Sequence, residues 1–314
     1  MSNKVRIVKN RSDIGAGTRG SDLGIDAIEI AAINQNNDFF NRYEAIDVET
    51  HNETIYNMVK NSFGKRMGHV LTQCNRVSEV VKDTLEAGYF PLIMAGDHSS
   101  ALGSISGIKA AYPEKRLGAI WIDAHADLHS PYTTPSGNVH GMPLAAALAL
   151  DNKDFQVNTP SAITVKDWEG MKNIGVKGAK IQASDLIFFG VRDTELPEDK
   201  LMEDHKIRNF TVEEMRFKGI DSCMKMAIQQ LEACDIIYIS FDVDSLDCDM
   251  ISYGTGTPVA KGFDQYEVIQ IIKALLATQK VVSLECVEVN PLLDTKGNKM
   301  AETAFEVLDA VIKS

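Results

Sequence analysis

Short apolar segments alternate along the chain with longer segments in which apolar residues recur at helical spacing. The short segments predict strands at residues 4–9, 44–48, 90–95, 117–122, 185–191, 207–211, 235–241 and 280–287. The longer segments predict helices at residues 65–87, 98–112, 221–234, 264–278 and 299–313. Strands that are apolar throughout and alternate with helices are typical of a parallel sheet covered on both faces. The pattern therefore predicts an α/β fold with three α/β/α layers and a mostly parallel, roughly eight-stranded sheet.

The chain shows no internal boundary between domains. Its 314 residues contain no linker rich in Pro, Gly or Ser and no internal repeat, so we expect a single domain over residues 1–314. The polar segment 151–184 is long for a connection, and it holds either a helix near residues 165–172 or a surface excursion.

Six potential metal ligands stand at the ends of three predicted strands. They are His98, Asp123, His125, Asp127, Asp242 and Asp244. Residues two positions apart in an extended backbone point to the same side, so the ligands at each strand end project together. Because ligands bind at the carboxyl ends of parallel strands, we expect all six side chains to belong to one site.

A metal centre explains this gathering of acidic and histidine side chains. A single cluster would also be explained by helix caps or by pairing with arginine, but three clusters at one edge would repel each other and be costly to bury without cations. Oxygen-rich ligands without a thiolate favour manganese or a similar hard ion over structural zinc. Two such ions roughly 3.5–4 Å apart can hold a bridging hydroxide, which predicts a hydrolase that attacks an sp² carbon.

Net charge and cysteine content narrow the function further. The formal net charge of −12 argues against a nucleic-acid partner and is compatible with a cationic substrate. The five cysteines include no CxxC pair, as is usual for reduced thiols in a cytoplasmic protein. We expect no membrane contact, because no apolar run reaches the ~18 residues of a membrane span and the N-terminus lacks a signal-peptide core.

The order of the motifs resembles the ureohydrolase family, most closely its arginase branch. The motifs are GDHS at residues 96–99, DAHAD at 123–127, SGNVHG at 136–141, SFDVD at 240–244 and EVNP at 288–291. The resemblance spans roughly residues 11–292 and implies an α/β/α fold, a binuclear manganese site and hydrolysis of guanidino or related amidine groups. The expected reaction converts L-arginine and water to L-ornithine and urea.

The resemblance also implies which residues hold each ion. One Mn²⁺ would be held by His98, Asp123, Asp127 and Asp242. The other Mn²⁺ would be held by Asp123, His125, Asp242 and Asp244, so Asp123 and Asp242 would bridge the two ions. A hydroxide between the ions would attack the guanidinium carbon.

Three residues are expected to act in catalysis on the same grounds. Asp127 would accept a hydrogen bond from the nucleophile and help to protonate the leaving amine. His140 would relay protons to and from solvent, although on its own it also fits a loop histidine beside a turn. Glu288 would pair with the guanidinium group, while the alternative role for this residue is a strand-end cap.

The substrate-binding residues match the family less closely. Ser136 and Asn138 match the pair that contacts the α-carboxylate, and Thr257 matches a threonine that lines the site. His129 stands where arginases usually carry an asparagine. After Asp193, Glu195 stands where the family usually has an aspartate that recognises the α-amino group, and Glu198 could also serve that role. The chain also lacks the usual proline after Asp247.

These departures concern specificity and leave alternatives open. A related ureohydrolase would act on agmatine, a guanidino acid or N-formimidoyl-glutamate. A catalytically silent relative that regulates a partner would have lost ligands, and none of the six is missing here. The expected partner is a small guanidino substrate, and the relatives form trimers or hexamers, so we expect a homo-oligomer.

Overall fold

One sheet organises the chain. The computed structural model describes residues 4–312 and contains an eight-stranded sheet in the order β2-β1-β3-β8-β7-β4-β5-β6. The strands are β1 Lys4–Asn10, β2 Glu44–Asp47, β3 Tyr89–Ala95, β4 Leu117–Ile122, β5 Leu186–Phe189, β6 Arg208–Phe210, β7 Ile236–Asp242 and β8 Val281–Val287. All neighbouring strands pair in parallel, which confirms the predicted α/β/α fold with its parallel sheet.

Eleven α-helices lie within the described residues. They are α1 Gly24–Asn34, α2 Phe39–Arg42, α3 Met67–Glu86, α4 Ser100–Ala111, α5 Pro143–Leu148, α6 Ala162–Met171, α7 Leu196–His205, α8 Val212–Lys218, α9 Ile220–Gln230, α10 Gln265–Leu276 and α11 Lys299–Ile312. The five predicted helices correspond to α3, α4, α9, α10 and α11. The predicted end of the last one, residue 313, lies outside the described residues.

The long polar connection holds a helix, which resolves the alternative left open for residues 151–184. Helix α6 begins after Ser161, whose side chain accepts a hydrogen bond from the Thr164 backbone N–H. This N-cap places the start of the helix a few residues before the predicted one, because the capping serine satisfies a backbone donor at the first turn.

Two apolar layers cover the two faces of the sheet. The central strand β4 shows the alternation: Ile120 and Ile122 contribute to one core cluster, while Ala119 and Trp121 contribute to the other. Helices α1, α9, α10 and α11 pack on the first face, and α3, α4, α5 and α6 pack on the second. Both faces of the strand are buried, so its sequence is apolar throughout.

The edge strand β2 departs from the predicted apolar pattern. All four of its residues are exposed, and it pairs only with β1 in the order of the sheet. Charged residues at an exposed edge discourage pairing with another chain.

Of the helices within residues 4–312, none combines the length and apolar character that a membrane crossing needs. That the chain is one domain stays a prediction.

Candidate metal centre and active site

The carboxyl ends of four adjacent strands, β3, β8, β7 and β4, meet at a cavity of about 290 Å³. Thirteen of the side chains predicted from the sequence line this cavity: His98, His125, Asp127, His129, Ser136, Asn138, His140, Asp193, Glu195, Asp242, Asp244, Thr257 and Glu288. Asp123 lies beneath the cavity wall and is fully buried. Residues separated by up to 190 positions in the chain are therefore neighbours at this edge.

His98 stands at the centre of the first group of potential ligands. Its Nδ1 atom lies 3.1 Å from Asp123 Oδ2, 3.1 Å from Asp127 Oδ2 and 3.0 Å from Asp242 Oδ2. Its Nε2 atom lies 2.7 Å from the Ser240 hydroxyl, and its ring stacks on Trp121 with 4.0 Å between the ring centroids. The hydroxyl and the indole hold the ring so that Nδ1 faces the three carboxylates.

His125 and Asp244 form the second group together with Asp123. His125 Nδ1 lies 2.9 Å from Asp244 Oδ2 and 3.6 Å from Asp123 Oδ1. The Thr257 hydroxyl donates to Asp244 Oδ2 over 3.0 Å. Asp193, at the outer side of this group, has its Oδ2 atom 3.6 Å from His125 Nε2. Asp123 belongs to both groups, whereas Asp242, which was also predicted to bridge, lies beside His98 of the first group.

Local backbone donors fix the orientation of the carboxylates. Asp123 Oδ1 accepts from the His125 N–H over 2.6 Å, and Asp242 Oδ1 accepts from the Asp244 N–H over 2.8 Å. An aspartate that bonds the N–H two residues ahead forms a local turn at the strand end. Asp244 Oδ1 accepts from the Ala124 N–H over 3.0 Å. In each case one oxygen is held by the backbone, and the other is left to face the centre of the site.

These residues fit a metal ion by the chemistry of their donor atoms. The His98 Nδ1 and Asp123 Oδ2 atoms are buried and lie 3.1 Å apart, but neither makes a hydrogen bond of acceptable geometry with the described residues. Burial and the neighbouring Asp244 and Asp123 raise the pKa of Asp242 well above its usual value, and burial and Asp123 raise the pKa of Asp127. A divalent cation would remove this repulsion and would use the unpartnered nitrogen and oxygen as ligands.

His140 and Glu288 form a largely buried pair that also lines the cavity. His140 Nδ1 lies 2.9 Å from Glu288 Oε1, which also accepts from the His98 backbone N–H over 2.9 Å. Burial opposes both charges, but each partner favours the other, so the pKa of His140 rises to about 9 and that of Glu288 falls. Glu288 has a φ of 67°, which turns the chain sharply at the end of β8.

The outer rim contains the residues that depart from the arginase pattern. His129 Nε2 lies 2.8 Å from Glu195 Oε2 and 3.4 Å from Glu198 Oε2, while its Nδ1 lies 3.1 Å from the Thr133 hydroxyl. Glu195 caps α7, and Glu198 completes the reciprocal pair of cap bonds. Burial raises the pKa of Glu198 to about 7. Both nitrogens of His129 therefore have partners within the protein.

Two positioning residues were not predicted. Ser240 lies two residues before Asp242 on β7, so the two side chains point to the same side of the strand. This spacing is the sequence signal that could have placed Ser240 beside the predicted ligands. Arg192 donates to five backbone carbonyls, and the shorter bonds to distant segments are 3.0 Å to Asp244, 2.7 Å to Val259 and 2.9 Å to Ala260. No sequence spacing signals this role, because it joins segments more than 50 positions apart.

The cavity is suited chemically to cations. Seven carboxylates line it, and no lysine or arginine among the described residues does so. Such a cavity attracts a planar guanidinium group as well as metal ions, and its walls supply both proton acceptors and a buried imidazole.

Comparisons with known proteins agree with this geometry. A sequence model of the Arginase family matches residues 3–313. The chain is similar to the arginase of Brevibacillus brevis, with 33% identity over 99% of this chain and 98% of that protein. It is similar to the arginase of Bacillus subtilis strain 168, with 31% identity over 99% of this chain and 98% of that protein. The solved structure of the arginase from Bacillus caldovelox matches with a TM-score of 0.85 and 30% identity, covering 99% of both chains.

Proposed function

This chain belongs to the arginase family of hydrolases that act on C–N bonds of linear amidines, and on that premise we propose that it converts L-arginine and water to L-ornithine and urea. The observation that carries the proposal is the convergence of two ligand groups that share Asp123. The cavity that contains these groups is also lined by the His140–Glu288 pair.

We propose that the cofactor is a pair of manganese ions. His98, Asp123, Asp127 and Asp242 would hold one ion, and Asp123, His125, Asp242 and Asp244 would hold the other. Carboxylate oxygens with a minority of imidazole nitrogens and no thiolate suit a hard divalent ion. When bound, the ions supply the Lewis acidity that makes water a nucleophile near neutral pH.

Glu288 is proposed to bind and orient the guanidinium group. Its Oε1 atom is engaged by His140 and by the His98 backbone, so its Oε2 atom is left to accept from a substrate N–H. The pKa of Glu288 is lowered, so this carboxylate carries its charge where the cationic substrate arrives. A charge-assisted hydrogen bond of this kind is about twice as strong as a neutral one.

Asp127 and His140 are proposed to move protons. Asp127 lies beside His98 at the cavity wall, where it would accept a hydrogen bond from the nucleophile and help to protonate the leaving amine. His140 is partly exposed to the cavity and is held by Glu288, so it can pass protons between the reaction centre and solvent.

The other end of the substrate is proposed to meet the rim. Ser136 and Asn138 would contact the α-carboxylate, and Glu195 with Asp193 would face the α-amino group. Thr257 would support this wall through its bond to Asp244. His129 would hold Glu195 in place, because both of its ring nitrogens already have partners.

A panel of substrates tests the proposed reaction. Manganese-loaded protein is incubated with L-arginine, agmatine, 4-guanidinobutyrate and N-formimidoyl-L-glutamate, and the loss of each substrate is followed by chromatography. L-Arginine should have the highest kcat/KM, with urea and L-ornithine formed in equal amounts. Faster turnover of agmatine or of a guanidino acid would contradict the assignment of L-arginine, and the chelated protein serves as the control.

We also propose that the protein is a cytoplasmic homo-oligomer, a trimer or a hexamer. Light scattering coupled to size-exclusion chromatography tests this, since the chain mass is 34.5 kDa. A monomeric mass would contradict the proposal.

A further inference from the structure

A short segment before α3 packs directly on the loop that carries Ser136 and Asn138. The Lys65 N–H donates to the Gly137 carbonyl over 2.8 Å. Gly137 has a φ of 76°, and a Cβ at this position would lie 1.7 Å from the Ser62 carbonyl oxygen. No other residue fits there, so the loop is fixed against the segment that contains Lys65.

The same contact brings the Lys65 side chain to the rim of the cavity. Lys65 Nζ lies 3.3 Å from Asn138 Oδ1, and Asn138 lines the cavity. Because Oδ1 accepts from Lys65, the Asn138 amide keeps the N–H donors of Nδ2. Gly17 leaves the space that Nδ2 needs, since a Cβ there would lie 2.5 Å from that atom.

Lys65 is a cation with an unsatisfied charge beside a strongly acidic cavity. Within residues 4–312, no ion pair joins Lys65 to a carboxylate. Its ammonium group donates a hydrogen bond to the neutral Asn138 amide. The seven carboxylates of the cavity favour a cationic substrate but repel a substrate carboxylate. A substrate carboxylate at the rim therefore needs a positive charge nearby. Lys65 supplies one, because its ammonium group contacts Asn138, which lines the rim.

We propose that Lys65 is a specificity-determining residue that favours guanidino substrates with a carboxylate at the end away from the guanidinium group. It orients Asn138 so that Nδ2 donates to that carboxylate, and it adds a positive charge to the rim. This inference rests on the proposed function, because it names the feature by which the site distinguishes L-arginine from agmatine, which has the same guanidino group but no carboxylate.

The test compares Lys65→Met and Lys65→Arg with the wild type on both compounds. In Lys65→Met, KM for L-arginine should rise about tenfold with kcat within about twofold, because a hydrogen bond network to a charged group is lost. KM for agmatine, or its inhibition constant against L-arginine, should not change. Lys65→Arg should retain most of the preference. Lys60→Met removes the same charge from an exposed position in the same segment and should leave both compounds unaffected.

The binding of both compounds to each variant is also measured by calorimetry, which gives the same contrast without turnover. An unchanged ratio of arginine to agmatine affinity in Lys65→Met would overturn the role of Lys65. If both affinities fell by the same factor, the contact of Lys65 would be merely structural. Failure of the wild type to hydrolyse L-arginine would instead contradict the proposed function, while the binding ratio still decides the role of Lys65.

Discussion

At the scale of single residues, the site depends on side chains that serve two neighbours at once. Asp123 is the clearest example, since its carboxylate belongs to both groups of potential ligands and is held from behind by the His125 N–H. Glu288 is the second, because one of its oxygens meets both His140 and the His98 backbone. Changes at such positions should therefore affect more than one function.

Asp123→Ala should lose both manganese ions, because each proposed ligand set contains this carboxylate. The bound metal is counted by elemental analysis after desalting. Asp247→Ala, which removes a buried carboxylate three residues beyond Asp244 that belongs to neither group, is the matched control and should keep its metal. Retention of two tightly bound ions by Asp123→Ala would refute the bridging role.

His140→Asn should lower kcat by roughly 10²–10⁴, the usual contribution of a positioned acid–base group, with unchanged metal content. Steady-state kinetics and elemental analysis measure the two quantities on the same preparation. His205→Asn, at an exposed position near the end of α7, should match the wild type. If turnover of His140→Asn were normal, the proton relay would have to be assigned elsewhere.

At the scale of elements, the His140–Glu288 pair joins the turn Val139–Gly141 to the end of β8. The turn and the strand are otherwise distant in the chain, so this contact helps to close the cavity wall. Glu288 is buried and His140 is partly buried, and the raised pKa of His140 and the lowered pKa of Glu288 mean that the pair is charged in the folded protein.

The contribution of this pair to stability should depend on pH. Because the folded pKa of His140 lies above its usual value of 6.5, its contribution is complete below that value and is lost as pH rises toward about 9. The lowered pKa of Glu288 adds a contribution that is lost as pH falls below its usual 4.5. Metal-free wild type should exceed metal-free His140→Asn by about 2 kcal/mol in unfolding free energy near pH 6, and the difference should shrink by pH 10.

Urea denaturation across this pH range measures the difference. A gap between the two proteins that stayed constant from pH 6 to pH 10 would show that the pair is not ionised in the folded state.

At the scale of the whole molecule, the six potential ligands put several buried ionisable groups at the carboxyl ends of the inner strands, where burial raises the pKa of Asp127, Asp242 and Asp244. Metal binding should therefore stabilise the entire chain. For one site with ligand at a hundred times its Kd, the added stability is about 2.7 kcal/mol. Calorimetry should show a higher Tm with Mn²⁺ than with a chelator, and Asp123→Ala should lose this shift. Equal Tm values in both conditions would argue against a metal centre.

Much of this fold and site could be predicted because the informative residues are close in sequence. Each central strand is a short apolar run, and its ligands follow directly, as with Asp123 and His125 after β4. Helices α1, α2, α5, α7 and α8 were missed. Helices α2 and α5 are only four and six residues long, and α7 and α8 bury only two residues each. Helix α1 has no clear apolar stripe, because Ile30 and Ile33 are exposed on it. The cap residues Glu195 and Glu198 could have indicated the start of α7.

The remaining features depend on contacts between distant segments. His129 meets Glu195 across 66 positions, and Lys65 meets Asn138 across 73. A local pattern reports neither the partner nor its distance, so the rim could not be derived from spacing. The order of the strands in the sheet is hidden for the same reason.

The position of β8 has a consequence for how the sheet assembles during synthesis. Of the eight described strands it is the last in chain order, yet it lies between β3 and β7 in the middle of the sheet. Without residues 281–287 the sheet would consist of two separate parts, β2-β1-β3 and β7-β4-β5-β6, with open facing edges. The ligands on β3 and those on β7 and β4 would then remain apart. The residues proposed to bind the metal ions can therefore come together only after β8 has been made, and a chain stalled before β8 would be a target for chaperones.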